Sequence, residues 1–371
     1  MIKSRFDQHP LRNTTGFLLI LVLLFLIGDY VMGQSRLTKI AGRPHPYYHH
    51  DLKRNFSDVV EWGKTPYPLN TNSKGFVDRV KRQVKDQSDQ YRILMIGDSF
   101  TEGVGYPYDD TFIGMFAAML KNPRIEVLNA GVKSYSPKLY FLKIKYLLEE
   151  NSFQFDELFV FIDLSDIQDE IVYQDFSPGR GDIKYRVKSV VAFLKQNFYF
   201  LNRIISSAEV LRMRILPPRV ASARSDMEAE NHSGYDFWER YHQDRIEWLY
   251  AENVYRIWGK KGLELATSNM EKLYQLCQSY GIKMHIVVYP WPEEILRGNI
   301  NSLMVRSWEI FAREHGIGFL NLYPLFINNK MSPQAVIDQY YISGDSHWIV
   351  PGHRFVSQAL FKYWQQTASH P

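Results

Sequence analysis

Residues 92–103 read RILMIGDSFTEG, and this stretch decides the fold. Its apolar part, residues 93–96, is short, rich in Ile, Leu and Met, and ends at a glycine, which is typical of a buried strand. Asp98 and Ser99 follow at the carboxyl end of that strand, where open α/β sheets bind their ligands. Ser99 is therefore a candidate nucleophile. The other interpretation is that Asp98 or Ser99 only caps the next helix.

Strand and helix patterns alternate from this stretch to the end of the chain. Apolar runs predict further strands at residues 125–128, 155–162, 283–289 and 318–322. Helical spacing predicts helices at residues 111–120, 137–149, 263–280, 302–314 and 351–363. This succession predicts an α/β fold in which helices cover both faces of a parallel sheet.

Between residues 170 and 261 the alternation stops, and the composition becomes helical, basic and aromatic. We interpret this segment as a helical insertion. Residues 187–213 have the pattern of an amphipathic helix, which could lie over the site, on a membrane or against the main domain. Packing against the main domain is the simplest of the three interpretations.

Residues 17–32 (FLLILVLLFLIGDYVM) form the one stretch of the sequence with membrane character. Their apolar part is shorter than a full span of about 20 residues and closer to a signal-peptide core. Because no good small-residue cleavage pattern follows, an uncleaved signal anchor is favoured over a cleaved signal peptide. Lys3, Arg5 and Arg12 precede the segment and favour a cytoplasmic amino terminus. Residues 1–35 are thus predicted to be a cytoplasmic tail and anchor, with the rest periplasmic or extracellular.

Residues 36–89 are polar and rich in turn-forming residues, which predicts a stalk and lead-in before the main domain at residues 90–367. The composition of the 371-residue chain is ordinary for a globular protein, with 45% hydrophobic and 23% charged residues. A scattered net charge of +4 gives no nucleic-acid footprint. The histidines form no metal-ligand cluster and no glycine-rich phosphate loop is present, so neither metal nor cofactor is predicted.

Asp345 and His347 stand just before the last predicted helix and complete a constellation with Ser99. A serine is a weak nucleophile unless a base removes its proton, and a histidine is a suitable base when a carboxylate fixes its tautomer. Two residues apart in an extended segment, Asp345 and His347 project to the same side. The carboxylate can then reach the ring nitrogen that faces away from Ser99.

Three blocks together resemble the SGNH or GDSL hydrolase superfamily over roughly residues 90–365, excluding the insertion: Gly97-Asp98-Ser99, Asn129-Ala130-Gly131 and Asp345-Ser346-His347. The resemblance implies a flavodoxin-like three-layer sandwich and a serine that an ester acylates and that water or another acceptor releases. It further implies that Ser99 is the nucleophile, His347 the general base and then acid, and Asp345 the orienting carboxylate. The amides of Ser99 and Gly131 would stabilise the oxyanion.

The chain departs from this superfamily in the third block, where Gly-X-Asn-Asp is usual and Asp163-Leu164-Ser165-Asp166 stands here. Ser165 would then replace the Asn side chain as an oxyanion donor, and Asn129 is a second candidate for that role. Asp166 and Asp169 are interpreted as helix-capping residues.

These observations lead to the hypothesis of a membrane-anchored, extracytoplasmic serine esterase or acyltransferase. The expected substrate is an acylated carbohydrate: O-acyl groups, acetyl first, of a cell-envelope or exported polysaccharide. This choice follows the export segment and residues 72–76 (NSKGF), which resemble the lead-in of polysaccharide-modifying members. Envelope polysaccharide-assembly proteins are the expected partners, and the membrane is contacted through residues 17–32. The alternatives are a catalytically silent glycan-binding or assembly protein and a lipase or thioesterase.

Overall fold

The computed structural model of the protein describes residues 10–37, 39–179, 183–215 and 245–367. The chain groups into two compact units. One consists of Met1–Pro44 and Gly181–Arg219, and the other of His45–Arg180 and Val220–Pro371. We call them the helical unit and the sheet unit after the elements that they contain.

The strands, in chain order, are β1 (Gly42–His45), β2 (His49–Leu52), β3 (Ser57–Trp62), β4 (Thr65–Asn70), β5 (Tyr91–Ile96), β6 (Ile125–Asn129), β7 (Glu157–Ile162), β8 (Lys283–Val288) and β9 (Gly318–Asn321). The helices are α1 (Pro10–Arg36), α2 (Ser99–Glu102), α3 (Phe112–Leu120), α4 (Pro137–Lys145), α5 (Ser165–Tyr173), α6 (Ile183–Asn197), α7 (Tyr199–Ile215), α8 (Glu252–Val254), α9 (Lys260–Ser279), α10 (Pro292–Arg297), α11 (Leu303–His315), α12 (Tyr323–Ile327), α13 (Pro333–Tyr340) and α14 (Val350–Thr367).

The sheet unit is built around a five-stranded sheet in the order β6-β5-β7-β8-β9. All its neighbouring strands are parallel, and Met95 of β5 pairs with Asn129 of β6 on one side and with Phe159 of β7 on the other. Counted along the chain, this order is 2-1-3-4-5, the flavodoxin-like arrangement, whose switch point lies beside the first strand. The predicted parallel α/β sheet is confirmed, and the switch point lies where β5 ends in Gly97-Asp98-Ser99.

Helices cover the sheet because parallel strands expose apolar side chains on both faces. β7 is buried at all six positions, as a strand covered on both sides must be. α3 packs against α14, while α4 and α5 pack against α9. The predicted helices and strands of this unit are confirmed, although α4 ends at Lys145 and a wider helical turn, Tyr146–Glu150, completes the predicted helix at 137–149.

Residues 45–89 of the predicted stalk are a folded part of the sheet unit. β3 and β4 form an antiparallel hairpin whose last pair joins Trp62 to Thr65. Its two-residue connection begins with Gly63, which has a φ of 59°. The isolated apolar residues of this segment are buried: Tyr48, Leu52, Tyr67, Leu69 and Phe76. Their spacing shows no period, because they fill gaps against distant parts of the chain.

A buried ion pair ties this segment to the α/β core. Lys143 of α4 places its Nζ 3.0 Å from Asp51 Oδ1 and 3.0 Å from the carbonyl oxygen of Ala130. Both charged side chains are at most 1% exposed. The ammonium also lies 5.1–5.7 Å from the ring centres of Tyr48, Phe76 and Tyr135. A charge that is buried so fully must keep its partner.

We predict that Lys143→Met lowers the free energy of unfolding by about 3–5 kcal/mol, because the buried Asp51 carboxylate would lose the ammonium group that it faces. The matched control is Lys145→Met on the same helix, whose Nζ lies 3.8 Å from Glu149 with both side chains more than 40% exposed. That variant should change stability by less than about 1 kcal/mol. Urea unfolding of the purified protein in detergent measures both values. Equal effects of the two substitutions would contradict the prediction.

The helical unit contains α1, α6 and α7 among its described residues. Within α1, the 23-residue segment Thr14–Arg36 is long and apolar enough to cross a membrane by length and composition. The described part of the predicted insertion is helical, and α6 and α7 pack on α1. Residues 1–9 of the predicted tail and residues 216–244 of the insertion lie outside the described residues.

Candidate active site

Ser99 is positioned by a tight turn that only glycine permits. A Cβ on Gly97 would lie 2.1 Å from Thr101 Oγ1 and 3.0 Å from Phe161 Cβ, so a larger residue would displace the turn. Asp98 caps α2 by accepting the Phe100 N–H at its Oδ1, with 3.0 Å between N and O. The capping interpretation thus applies to Asp98, while Ser99 opens the helix and lines a pocket at the carboxyl edge of the sheet.

The structure brings Ser99, His347 and Asp345 into one hydrogen-bonded chain. His347 Nε2 lies 2.8 Å from Ser99 Oγ, and His347 Nδ1 lies 2.5 Å from Asp345 Oδ1. The His347 backbone N–H also donates to Asp345 Oδ1 over 3.1 Å, which fixes the carboxylate beside the ring. The geometry suits a histidine that accepts a proton from Ser99 while Asp345 holds its other nitrogen.

Asp345 is held ionised by donors on both of its oxygens. The indole N–H of Trp62 donates to Oδ2 over 2.9 Å, from the end of the β3–β4 hairpin. Burial alone would raise the pKa of Asp345, but the hydrogen bonds and charge of His347, together with the Trp62 donor, lower it to about 2. Sequence reasoning missed Trp62, because nothing local to residues 57–62 indicates a partner in the last loop of the chain.

Two of the predicted oxyanion donors are engaged elsewhere. The Gly131 N–H donates to Asn129 Oδ1 over 3.0 Å, and Asn129 Nδ2 donates to the Thr101 carbonyl over 2.7 Å. Neither Gly131 nor Asn129 lines the pocket. Both residues brace the turn that carries Ser99, because the side chain of Asn129 bridges two backbone segments, and their expected role as oxyanion donors stays a prediction.

Ser134, three residues after Gly131, is a pocket residue that the sequence did not single out. It is exposed, lines the pocket with Ser99, and has a φ of 60°, a left-handed conformation that is uncommon outside glycine. Within the described residues, the backbone N–H groups of Ser99 and Ser134 have no hydrogen-bond acceptor. These two amides are the candidate oxyanion donors. The strained backbone at Ser134 is a feature that spacing alone does not indicate.

Ser165, the third predicted donor, lines the pocket but its hydroxyl is already bonded. Ser165 Oγ and its backbone N–H both donate to Asp163 Oδ1, over 2.7 and 2.8 Å. The indole N–H of Trp291 donates to the other oxygen of Asp163 over 2.9 Å. In this arrangement Ser165 can accept a hydrogen bond from a ligand, while its own proton is directed to Asp163.

The pocket in front of Ser99 has a volume of about 740 Å³. Trp62 and Trp291 contribute aromatic walls, and the charged side chains of Lys133, Asp169, Arg245 and Glu293 also line the pocket. Arg245 lies over the Trp291 ring, with its guanidinium carbon 5.9 Å from the ring centre. The pocket therefore combines flat apolar surfaces with hydrogen-bonding and charged groups.

Behind Ser99, three buried carboxyl groups meet at the ends of the strands. Asp98, Asp163 and Asp166 each offer an oxygen within 4.8 Å of the others, which is a spacing that a cation could bridge. Chain donors already reach all three: Tyr289 and Phe100 bond Asp98, Ser165 and Trp291 bond Asp163, and the Tyr140 hydroxyl bonds Asp166 over 2.8 Å. Burial and the neighbouring carboxylates raise the pKa of Asp98 and Asp166 well above the ordinary value. The pKa shifts of these two groups are thus opposite in direction to that of Asp345.

Solved structures that match the chain include proteins described as esterases and lipolytic enzymes. One is a protein described as a lipolytic member of the G-D-S-L family from Desulfitobacterium hafniense DCB-2, with a TM-score of 0.37 at 11% identity over 74% of this chain and 99% of that chain. Another is the acetylxylan esterase Axe2 from Geobacillus stearothermophilus, with a TM-score of 0.38 at 13% identity over 76% and 96% of the two chains. TesA matches with a TM-score of 0.37 at 9% identity over 74% and 98%. No protein-family model and no curated protein matches. The side-chain geometry of the pocket therefore carries the functional conclusion.

We predict that Trp62→Phe lowers kcat for a small aryl ester by about tenfold, because a hydrogen bond to a charged group is worth about 1.5–3 kcal/mol and positions Asp345. The pKa of Asp345 should also rise, because one of the donors that lower it is lost. The control is Trp364→Phe, which removes an indole donor to Glu157 over 3.0 Å, away from the pocket. An unchanged kcat for Trp62→Phe would exclude the positioning role.

Glu294 stabilises the pocket wall in its protonated form. It belongs to α10, and its two oxygens lie 2.8 and 2.9 Å from the Tyr323 hydroxyl. Oε2 also accepts the Trp291 N–H over 3.1 Å. Burial raises the pKa of Glu294 to about 8. Its contribution to stability is therefore fully present below the ordinary pKa near 4.5 and is lost as the pH rises through 8.

We expect Glu294→Gln to reduce the decline of unfolding free energy between pH 5 and 8.5, because one titrating proton contributes a slope of at most about 1.4 kcal/mol per pH unit. The exposed neighbour Glu293 supplies the matched control, Glu293→Gln. Urea unfolding at a series of pH values measures the slopes. If Glu294→Gln and wild type decline in parallel, Glu294 is ionised in the folded protein and the prediction is wrong.

Proposed function

We propose that the protein is a serine esterase or acyltransferase that acts on O-acyl groups of a carbohydrate outside the cytoplasm. The observation that carries this proposal is the hydrogen-bonded chain from Ser99 through His347 to Asp345, which opens into the pocket. A buried structural serine would not need a histidine base, an ionised carboxylate and an open approach at the same point.

In the proposed reaction, Ser99 Oγ attacks the carbonyl carbon of the ester while its proton moves to His347 Nε2. The imidazolium is stabilised by Asp345, which stays ionised because its pKa is about 2. The carbonyl oxygen becomes an oxyanion that accepts the N–H groups of Ser99 and Ser134, each worth about 3 kcal/mol in comparable sites.

The intermediate collapses when the ester C–O bond breaks and the leaving alcohol takes the proton from Nε2, which leaves an acyl group on Ser99. Water gives hydrolysis in the second half-reaction, and a carbohydrate hydroxyl gives acyl transfer. In either case His347 removes the proton of the incoming oxygen and returns it to Ser99. The same residues serve both outcomes, so the acceptor decides between them.

The walls of the pocket support a carbohydrate ester over a long-chain lipid or thioester. Indole rings stack against the apolar faces of sugar rings, and the partly exposed Trp62 lines the pocket. A long acyl chain needs a continuous apolar channel, whereas Lys133, Arg245 and Glu293 add charges to this lining. A short acyl group such as acetyl fits beside Ser99 without such a channel.

The N-terminal helix supports the proposed anchor. Residues near the carboxyl end of α1 contact α6 and α7, including a hydrogen bond of 3.2 Å from Gln34 Nε2 to Asn197 Oδ1. A segment with contacts in the mature fold is better suited to retention than to cleavage. We propose that α1 anchors the chain with its amino terminus in the cytoplasm and the sheet unit in the periplasm or outside the cell.

We predict that Ser99→Ala lowers the hydrolysis of p-nitrophenyl acetate by about 10³-fold or more, and that Asp345→Asn has an effect of similar size, because the triad acts as one unit. The exposed serine of α9 gives the control Ser279→Ala, which should keep full activity. Intact-mass measurement with acetylated xylo-oligosaccharides should detect acetyl on Ser99 in the wild-type protein.

The catalytically silent alternative makes the opposite prediction. It is favoured by the engagement of Gly131 and Ser165 with other groups, which removes two expected oxyanion donors. A fluorophosphonate probe reacts only with an activated serine, so labelling of the wild type and loss of labelling in Ser99→Ala support the enzyme. If the folded wild-type protein neither reacts with the probe nor hydrolyses the ester, the silent glycan-binding protein is the better account.

A further inference from the structure

Helices α6 and α7 leave apolar side chains on their outer faces. The exposed residues recur three, four or seven positions apart, which places them on one face of each helix. They are between 55% and 76% exposed: Ile183, Val187, Val190 and Phe193 on α6, and Ile204 and Leu211 on α7. We call these two faces the apolar stripes. A soluble amphipathic helix buries such a stripe against its own domain.

The turn between α6 and α7 packs directly on α1. The backbone of Asn197 approaches Gly33 so closely that a Cβ there would lie 2.0 Å from the Asn197 carbonyl oxygen. The rings of Tyr30 and Phe198 meet edge to face, with 5.6 Å between their centres. A Cβ on Gly28, by contrast, would have no atom within 4 Å. The hairpin therefore docks on the carboxyl-terminal half of α1.

The position along α1 at which the hairpin packs indicates how far the hairpin extends beside the apolar segment. Phe25 stacks on Phe200 with 6.2 Å between the ring centres. Phe25 is the central residue of the apolar segment Thr14–Arg36, about 16 Å from either end at 1.5 Å per residue. Phe200 therefore lies at the depth of the middle of that segment. An element that packed only beyond a membrane span would contact its end.

Within this apolar segment, the carboxylate of Asp29 accepts hydrogen bonds from the first backbone N–H groups of α7. Asp29 is the one acidic residue of Thr14–Arg36 and is 2% exposed. Its Oδ1 accepts the Phe200 N–H over 2.6 Å, and its Oδ2 accepts the Leu201 N–H over 3.2 Å. The first N–H groups of a helix have no intrahelical acceptor and carry partial positive charge. A carboxylate and a helix terminus that are each costly in lipid are thus paired.

We propose that the α6–α7 hairpin enters the lipid bilayer beside α1, with the apolar stripes against the acyl chains. At 15 and 17 residues, the helices are about 22 and 25 Å long, short of the hydrocarbon thickness of about 30 Å, so the hairpin enters without crossing. α6 contains four basic residues and no acidic one, and Arg186 and Lys188 are exposed beside its stripe. An anionic phospholipid bilayer complements both features.

The inference rests on α1 being an uncleaved span, and the test includes that point. The full-length protein with Cys277→Ala receives one new cysteine at a time: Phe193→Cys or Ile204→Cys on the stripes, Leu21→Cys on α1, or Val59→Cys at an exposed position of β3. Each is labelled with bimane and reconstituted into vesicles of equal parts phosphatidylcholine and phosphatidylglycerol. Quenching is measured with doxyl-labelled lipid and with aqueous acrylamide.

We expect the labels at positions 193 and 204 to be quenched by doxyl lipid as strongly as the label at position 21. Acrylamide should quench them about fivefold less than the label at position 59. If doxyl lipid quenches the label at position 21 while acrylamide fully quenches the labels at positions 193 and 204, the anchor proposal stands and the hairpin proposal is wrong. Protection from both quenchers means that a protein covers the stripes, which also overturns it. Absence of lipid quenching at position 21 overturns the anchor and the hairpin together.

Discussion

The hydrogen bond between Ser99 Oγ and His347 Nε2 joins residues that are 248 positions apart, and the site depends on it. It forms because the carboxyl end of β5 and the loop before α14 meet at the same edge of the parallel sheet. The turn at Gly97, the cap by Asp98 and the bracing of Asn129 hold one partner. Asp345 and the Trp62 indole hold the other. Each of these turns, caps and hydrogen bonds is common in proteins, and the candidate catalytic site forms where they place Ser99 and His347 side by side.

Carboxyl groups near Ser99 have pKa values shifted in opposite directions because their surroundings differ. Asp345 lies in a loop, receives donors on both oxygens and faces a histidine, so its pKa falls to about 2. Asp98 and Asp166 lie behind the serine with other carboxyl groups, so burial and repulsion raise their pKa values. The charge of Asp345 lies on the side of the histidine, where it stabilises an imidazolium.

The same principle applies to Asp29 in the helical unit, where a carboxylate meets the N–H groups at the start of α7. A buried charge is tolerated when backbone donors replace water. In each unit an acidic side chain, Asp345 or Asp29, stands where an unpaired charge would be costly, and each has specific hydrogen-bond donors. In the sheet unit it serves a candidate reaction, and in the helical unit it joins a hairpin to the proposed anchor.

The sequence by itself determined the parallel α/β order, the approximate bounds of the five sheet strands and of five helices of the sheet unit, and the choice of Ser99, Asp345 and His347. Hydrophobic periodicity and turn-forming residues carry that information, because each depends on only a few neighbouring residues. Only the tertiary structure decided that residues 45–89 are packed, that Trp62 supports Asp345, and that Ser134 rather than Gly131 faces the pocket. Those outcomes depend on contacts between distant segments and on one backbone angle, and no local pattern encodes either.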